Sequence, residues 1–253
     1  MTPSSVADFY DRLAPFYHLI FPDWEASIAR QAAQLDVVIR VRTGGGARTV
    51  LDVACGIGTQ SLGLAALGHD VTASDLSAIA VERARREAER RGLHISFSVA
   101  DMRAAHEHHG RTFDIVLCAD NSLPHLLADG EILIALKQLF ACTRPGGACI
   151  LSVRDYAAMP RVAEVQHYGT REEDGARWIL LQHRAFDGDR YDLTFYVVED
   201  RGGDEAATRV LRSRYYAIST KRLMELMREA GFVEVERLDG AFYQPLLVGT
   251  SAG

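Results

Sequence analysis

A glycine turn between two apolar runs is the part of the sequence best suited to bind a ligand. The first run covers residues 50–54 and leads into Gly56 and Gly58, and the second run ends at Asp75. Glycines let a ligand lie against the backbone where a Cβ would obstruct it. Asp75 stands where a carboxylate can accept hydrogen bonds from both hydroxyls of a ribose. Strand, glycine turn, helix, strand and acid form the βαβ unit that is typical of nucleotide binding.

The spacing of the turn distinguishes two kinds of cofactor. Dinucleotide enzymes use G-x-G-x-x-G and place a pyrophosphate at the helix N-terminus, but Ser61 stands where the third glycine would fall. This departure disfavours an NAD-dependent oxidoreductase. The D-x-A-x-G-x-G order that starts at Asp52 instead resembles motif I of class I S-adenosylmethionine (AdoMet) methyltransferases. The resemblance implies AdoMet as the cofactor and S-adenosylhomocysteine as the product.

The same resemblance places cofactor contacts at the ends of successive strands. Asp101 follows the third predicted strand, so its carboxylate can accept a hydrogen bond from the adenine amino group while the backbone at Met102 reads the ring edge. Ala119 ends the fourth strand, beside the expected sulfonium. The residues predicted to hold the cofactor in this core are Asp52, Ala54, Gly56, Gly58, Asp75, Leu76, Asp101, Met102 and Ala119.

Helices alternate with five predicted strands, which implies a parallel sheet with ligands at its carboxyl edge. After the fifth strand the pattern changes to consecutive hairpins, with predicted strands at about 178–185, 191–199 and 208–217. We therefore predict an α/β fold. It is a Rossmann-like class I methyltransferase sheet, mostly parallel with an antiparallel last strand, and an antiparallel β layer is inserted after strand five.

Four segments follow from this pattern. Residues 1–46 form an N-terminal helical lid rich in aromatic side chains, which can exclude water from a sulfonium centre. Residues 47–154 form the AdoMet-binding core, and residues 218–253 complete its sheet. The inserted segment, 155–217, either covers the substrate site or forms a subunit interface in a homo-oligomer.

Two polar residues at strand ends are candidates for binding the methyl acceptor. Asn121 follows strand four and offers an amide that can orient a nitrogen without carrying charge. Arg154 follows strand five, where a guanidinium can either bind a carboxylate bidentately or pair with a nearby acid at the surface. His125 can act as a base or simply hydrogen-bond locally. DNA amino-methyltransferases have an N-P-P-Y-like turn here, but no aromatic residue follows Pro124, which speaks against DNA.

The motif from Asp52 to Gly56, Asn121 with His125, and the Arg154-Asp155-Tyr156 run together resemble the glycine/sarcosine N-methyltransferase group. The resemblance implies that Asn121 and Arg154 hold an amino acid. It also implies a pocket completed by a tyrosine of the insertion, for which Tyr196 matches better than Tyr168. In the N-terminal segment it implies cofactor contacts from Tyr17, Trp24 and Arg30, near Tyr10. Asp120 departs from the neutral small residue of the animal glycine enzymes and favours a cationic amine.

Composition excludes several other classes. The chain has 253 residues, 48% of them hydrophobic, and a net charge of −6, which argues against a nucleic-acid backbone as partner. The four cysteines form no C-x-x-C pair, which fits reduced thiols of a cytoplasmic protein. No apolar run is long enough to span a bilayer, and the first residues lack the pattern of a signal peptide. His106, His108 and His109 lack a matching ligand set, so we predict no metal site.

The sequence thus predicts an AdoMet-dependent methyltransferase that acts on the nitrogen of a small amine or amino acid of the glycine, sarcosine or dimethylglycine type. Asn121, Arg154, Tyr196 and His125 are its predicted acceptor-side residues. Two alternatives stay open. One is a small-molecule N- or O-methyltransferase of secondary metabolism, and the other is a non-catalytic AdoMet-binding module.

Overall fold

The computed structural model describes residues 5–252 and contains two β-sheets. The strands are β1 (Thr49–Asp52), β2 (Asp70–Asp75), β3 (Ser96–Val99), β4 (Phe113–Cys118), β5 (Thr143–Ser152), β6 (Glu164–Glu173), β7 (Ala176–Asp187), β8 (Arg190–Asp200), β9 (Ala206–Tyr216), β10 (Phe232–Leu238) and β11 (Leu246–Ser251). The α-helices are α1 (Val6–Leu13), α2 (Trp24–Thr43), α3 (Thr59–Ala66), α4 (Ala78–Arg90), α5 (Ala105–His109), α6 (Asp129–Cys142) and α7 (Thr220–Ala230).

The larger sheet has seven strands in the order β10-β11-β5-β4-β1-β2-β3. Strands β1 to β5 pair in parallel, and β11 runs antiparallel to both of its neighbours. β4 is buried along its whole length, as expected for an apolar strand covered by helices on both faces. The strand order reverses between β1 and β4, so a crevice forms at their carboxyl ends.

The smaller sheet is antiparallel, with the order β6-β7-β8-β9, and lies in the chain between β5 and α7. Both sheets confirm the predicted fold class. The first strand of the insertion, β6, is missing from the prediction because its sequence, EVQHYGTREE, is polar and mostly exposed at the edge of the sheet. An edge strand with one open side needs no apolar run.

The N-terminal helices pack against the inner face of the smaller sheet. Phe9, Leu13 and Leu19 share a core cluster with Trp178 and Leu180 of β7. Ser5 caps α1 by accepting from the Asp8 N–H, so this segment has a defined start. Most of residues 5–43 are helical, interrupted at residues 21–23, and residues 1–4 of the predicted lid lie outside the described residues. Within residues 5–252, no helix has the length and apolar character needed to cross a membrane.

Candidate functional site

The glycine turn joins β1 to α3 through two left-handed residues. Gly56 has φ +52° and Gly58 has φ +92°. A Cβ on Gly58 would lie 3.2 Å from Leu62 and 3.3 Å from Ala84, so both conformation and space favour glycine there. The Gly56 N–H donates to the Asp75 carboxylate at 2.8 Å, which ties the turn to the end of β2.

A cavity of about 280 Å³ opens beside this turn. Seven of the predicted cofactor residues line it, namely Ala54, Gly56, Asp75, Leu76, Asp101, Met102 and Tyr17. The Asp75 oxygens accept from the backbone N–H groups of Gly56 and Ser77, which leaves further lone pairs available. At one end of the cavity, the glycine backbone leaves room for the amino-acid tail of AdoMet. At the other end, the Asp75 carboxylate can bind its ribose, so the residues present can hold AdoMet.

Asp101 forms one wall of this cavity, and its neighbour Arg103 fixes it in place. Arg103 donates to Asp101 at 2.7 Å and to Glu131 at 3.0 Å. The hydrogen bond from Arg103 lowers the pKa of Asp101, so this acid is ionised at neutral pH. Sequence reasoning missed Arg103 and Glu131, which line the same cavity, because only the fold brings α6 beside the end of β3.

Five predicted cofactor residues do not line the cavity: Asp52, Gly58, Ala119, Trp24 and Arg30. Trp24 lies in the core, where its Nε1–H donates to Thr59 Oγ1 at 2.9 Å, and Thr59 in turn lines the cavity. Arg30 is exposed and donates to Ser27 Oγ at 3.1 Å. Trp24 thus contacts the first residue of α3 behind the turn, whereas Arg30 lies at the surface, and neither residue lines the cavity in this structure.

Asp52 lies buried behind the glycine turn and stabilises it through hydrogen bonds. It is fully buried and accepts from Ser61 Oγ at 2.7 Å and from the Ala54 N–H at 3.3 Å. Burial raises the pKa of Asp52 to about 7. The group binds its proton more tightly in the folded state, so its contribution to stability is lost as the pH rises from about 4 towards 7.

Asp52→Asn is therefore expected to be more stable than the parent protein at pH 8 and to show little difference at pH 4. An amide can still accept from the Ala54 N–H and donate to Ser61 Oγ, but it need not ionise. The gain at pH 8 is at most about 4 kcal/mol. Urea unfolding at both pH values measures it, and a variant that is less stable at pH 8 would contradict the expectation.

A second cavity of about 350 Å³ adjoins the first and is lined by the inner face of the smaller sheet. Tyr10, Tyr17 and Asp120 line both cavities and mark where they meet. Asn121 and Arg154 line the second cavity, so the structure brings these two predicted acceptor residues together beside the first cavity. Any group held there lies next to a ligand of the glycine turn.

Asn121 organises this junction. Its N–H donates to Ser152 O at 2.8 Å, its Oδ1 accepts from the Arg154 N–H at 3.0 Å, and its Nδ2 donates to the Tyr156 hydroxyl at 2.7 Å. Asp120 and Asn121 have φ of +54° and +63°, a conformation that Asp and Asn tolerate better than most residues. The Asn121 amide thus fixes the backbone from which Arg154 projects.

The Arg154 guanidinium lies among tyrosines. Burial acts to lower its pKa, but the surrounding hydroxyls of Tyr191, Tyr156 and Tyr168 outweigh burial and raise it, so the group is charged. Its Nη1 is buried and has no hydrogen-bond partner within the described part of the chain. A buried charged donor without a partner is costly, so this geometry favours an anionic ligand over the alternative of a surface ion pair.

Asp120 provides the opposite charge at the junction. Its carboxylate accepts from the Tyr17 hydroxyl at 3.2 Å and from the Tyr243 hydroxyl at 2.5 Å. Burial raises the pKa of Asp120, while the bond from Tyr243 and the charge of Arg154 lower it. A carboxylate between two tyrosines can bind an ammonium group and accept its proton.

His125 lies in the wall of the first cavity. Its Nε2 is 2.8 Å from the Tyr10 hydroxyl and its Nδ1 is 3.3 Å from Ser213 Oγ. Burial lowers the pKa of His125 to about 3, so the ring is neutral at physiological pH. Both ring nitrogens are engaged locally, which favours the local role over that of a base.

Tyr196 is placed differently from its prediction. Along β8, Tyr191, Leu193, Phe195 and Val197 are buried and alternate with more exposed residues. Tyr196 belongs to the other set, so it lies on the outer face of the sheet and outside both cavities. The tyrosines that do line the second cavity are Tyr10, Tyr17, Tyr168, Tyr215 and Tyr243.

His108 and His109 each contact a serine of the neighbouring strands. His108 Nε2 contacts Ser98 Oγ at 2.9 Å and His109 Nε2 contacts Ser74 Oγ at 3.2 Å. Across residues 5–252, no group of three or more His, Cys, Asp or Glu side chains is arranged to hold a metal ion.

Known proteins match this arrangement in sequence and in structure. Residues 50–147 match the model of a methyltransferase domain family. The crystal structure of Streptomyces venezuelae DesVI superposes with a TM-score of 0.79 at 21% identity, covering 97% of this chain and 98% of that one. An S-adenosylmethionine-dependent methyltransferase from Clostridium acetobutylicum superposes with a TM-score of 0.77 at 15% identity, covering 96% and 99%. Residues 50–147 are therefore a methyltransferase-family domain, and the whole chain has the fold of a class I methyltransferase.

Several sequence relatives of this chain are named as N-methyltransferases, and one is named as an O-methyltransferase. The glycine/sarcosine N-methyltransferase of Parasynechococcus marenigrum is 37% identical over 151 residues, which is 60% of this chain and 51% of that protein. The match therefore spans about half the length of that relative. A dTDP-3-amino-3,6-dideoxy-α-D-glucopyranose N,N-dimethyltransferase of Streptomyces fradiae is 28% identical and covers 94% of this chain and 90% of its own length. The glycine turn and Asp75 fit AdoMet, and the superposed Clostridium acetobutylicum protein is an AdoMet-dependent methyltransferase.

Asp75→Ala is expected to weaken AdoMet binding by this methyltransferase about a hundredfold. The change removes a carboxylate at the expected ribose position and the anchor of the Gly56 N–H, and hydrogen bonds to a charged group contribute about 1.5–3 kcal/mol each. Calorimetric titration measures the affinity. Asp70→Ala, at the exposed start of the same strand, is the matched control and should bind normally. A Kd for AdoMet within threefold of the parent value would show that Asp75 does not bind the cofactor.

Proposed function

We propose that the protein transfers the AdoMet methyl group to the nitrogen of a small amine that carries an anionic group, with an amino acid of the glycine, sarcosine or dimethylglycine type as the leading case. One observation carries the proposal. Arg154, whose buried Nη1 has no hydrogen-bond partner among the described residues, lines a cavity that meets the cofactor cavity at Asp120. An anionic group on Arg154 would therefore leave the rest of the acceptor close to the cofactor.

The charges of this cavity match a zwitterion. Arg154 supplies a cation, and Asp120, when ionised, supplies an anion at the junction with the cofactor cavity. An amino acid bound with its carboxylate on Arg154 would present its ammonium group to Asp120. Because these partners hold the two ends of the acceptor, they also fix the direction in which its nitrogen lone pair points.

Bound AdoMet supplies an electrophilic methyl group on sulfur, so the protein needs no metal or covalent nucleophile for this reaction. The residues of the chain have three tasks. Arg154 and Asp120 align the amine, and such positioning can contribute up to about 7–11 kcal/mol in favourable cases. Asp120 accepts the proton that the ammonium must lose before its lone pair can form the new N–C bond. Tyr10 and Tyr17, which line both cavities, exclude water from the junction.

Two of the relatives support nitrogen as the acceptor atom. One is named for methylation of glycine and sarcosine, and the other for methylation of an amino sugar. These acceptors share a small amine and differ in the rest of the molecule. An amino sugar is the second candidate because the relative named for that reaction matches nearly the whole chain.

A turnover screen with labelled AdoMet tests the proposal. Glycine, sarcosine, dimethylglycine, longer amino acids, amino sugars and amines without a carboxylate are offered in turn, and S-adenosylhomocysteine release is measured. Methylation confined to amines that carry an anionic group supports the proposal. Preference for amino sugars would select the second candidate. Tight AdoMet binding without turnover of any amine would indicate a non-catalytic module.

A further inference from the structure

The second cavity contains two further buried donors beyond Arg154. Gln182 and Arg184 lie two residues apart on the inner face of β7. Only 2% of the surface of Gln182 and 6% of the surface of Arg184 is exposed. Gln182 Nε2 and Arg184 Nε are both buried, and neither has a hydrogen-bond partner among residues 5–252. Both residues line the cavity. Since buried polar groups are nearly always hydrogen-bonded, two such donors on one wall point to ligand oxygens.

Tyr168 fixes the orientation of the Gln182 amide. The Tyr168 hydroxyl donates to Gln182 Oε1 at 2.8 Å. The amide oxygen is thereby held towards β6, and the NH₂ group is turned the other way. Gln182 therefore offers donors to a ligand and can select an acceptor such as a carbonyl or hydroxyl oxygen.

The charge of Arg184 is already balanced. Its Nη2 pairs with Glu164 of β6, whereas Arg154 has no carboxylate partner among the ion pairs of the described residues. Once the carboxylate of an amino acid neutralises Arg154 and Asp120 faces its ammonium, a second anionic group beside Gln182 would have no free cation to pair with. The wall at Gln182 and Arg184 therefore fits an uncharged oxygen.

The size of the cavity agrees with a longer acceptor. Its volume of about 350 Å³ is within the range of small-molecule sites. At roughly 30 Å³ for each water-sized group it could hold about twelve of them. Glycine would fill a small part of this space and would leave Gln182 Nε2 and Arg184 Nε unpaired.

We propose that Gln182 and Arg184 form a subsite for an uncharged oxygen group, so that the preferred acceptor is an amine whose skeleton extends past its anionic group to an amide, carbonyl or hydroxyl. This inference rests on the proposed function and, within its class of amines that carry an anionic group, favours longer acceptors over glycine, sarcosine and dimethylglycine. It separates acceptors by a single property, the presence of an uncharged oxygen on the side chain.

Isosteric amino acids test the subsite. Asparagine, aspartate and leucine have similar shapes, as do glutamine, glutamate and methionine, and only the amides carry an uncharged oxygen. Binding to the complex with S-adenosylhomocysteine is measured by calorimetry, and turnover is measured as kcat/KM. For at least one amide, both the affinity and kcat/KM are expected to be about tenfold higher than for its acidic and apolar counterparts. Equal values across each set, or a preference for the acidic members, would overturn the inference while leaving methyl transfer itself intact.

The variant Gln182→Met keeps the length of the side chain and removes its donors. It should bring the ratio of amide to apolar acceptor close to one, and AdoMet affinity and the unfolding midpoint show whether the fold is preserved. His183→Leu, on the outer face of β7, is the matched control and should keep the parent ratio. An unchanged ratio in Gln182→Met would overturn the inference. If amides bind in a Gln182-dependent way but are not methylated, the subsite stands and the proposed function fails.

Discussion

Arg154→Lys is expected to raise the KM for the amine acceptor about a hundredfold while the affinity for AdoMet stays within threefold. The guanidinium offers two parallel donors to a carboxylate, whereas an ammonium is a point charge on a shorter side chain. The partner of a buried charged group loses about 2–5 kcal/mol of binding when the pair is broken. Acceptor titration at saturating AdoMet measures the KM, and calorimetry measures the cofactor affinity.

Arg161→Lys is the matched control for this prediction, because Arg161 is exposed and donates to the backbone oxygen of Gly188 outside both cavities. Parallel losses of acceptor and AdoMet binding in Arg154→Lys would show that Arg154 supports the fold. An unchanged KM would show that the acceptor makes no use of the guanidinium.

Strand ends were the most predictable part of the site. The glycine turn, Asp75 and Asp101 follow apolar runs, and parallel strands present their carboxyl ends at one edge. Arg154 could be placed at the same edge by the same argument. The hydrogen-bond partners of these residues could not be predicted from strand ends. Asn121, for example, bonds Tyr156 and the Arg154 backbone only after the chain has folded.

Positions within the inserted sheet were the least predictable. In a strand, neighbouring side chains lie on opposite faces, so a shift of one residue moves a side chain from the cavity to the outer surface. Tyr196 illustrates this, since Phe195 beside it lines the second cavity. The alternation of buried residues from Tyr191 to Val197 was the available signal, and it points to the odd-numbered positions.

Gln182 and Arg184 lacked a sequence signal because they are polar residues on a buried face. An alternating pattern predicts apolar residues on the buried face of a strand. Polar residues at those positions are therefore assigned to the face that is exposed to solvent. Buried polar residues that break the pattern are expected mainly at functional sites. Sequence alone could not separate Tyr17, which lines the first cavity, from Trp24, which reaches the cavity wall only through Thr59.

Asp120 lies where the two cavities meet, and the resemblance to the glycine N-methyltransferases predicts a neutral small residue at this position. A neutral residue there can position an amine that has already lost its proton. A carboxylate held by Tyr17 and Tyr243 can also bind the ammonium form and take up its proton. Since most amines are protonated at neutral pH, the carboxylate would enlarge the reactive fraction of the acceptor.

Asp120→Asn is therefore expected to lower kcat/KM at pH 7 by about a hundredfold, the lower end of the range for general acid–base catalysis. The parent rate should fall as the pH drops through the pKa of Asp120, which burial raises above that of an ordinary carboxyl. The variant lacks this group, so its rate should rise about tenfold per pH unit until the free amine itself loses its proton. Initial rates from pH 5 to pH 10 distinguish the two profiles.

Tyr243→Phe gives the companion measurement. The Tyr243 hydroxyl lowers the pKa of Asp120 by donating to its carboxylate. Without it the pKa should rise further, so the acidic limb of the profile should move to higher pH while the rate on the plateau stays near that of the parent. If Asp120→Asn and Tyr243→Phe both kept the pH–rate profile of the parent, the Asp120 carboxylate would serve only to hold the conformation of its loop. The ammonium group of the acceptor would then lose its proton to water before it binds.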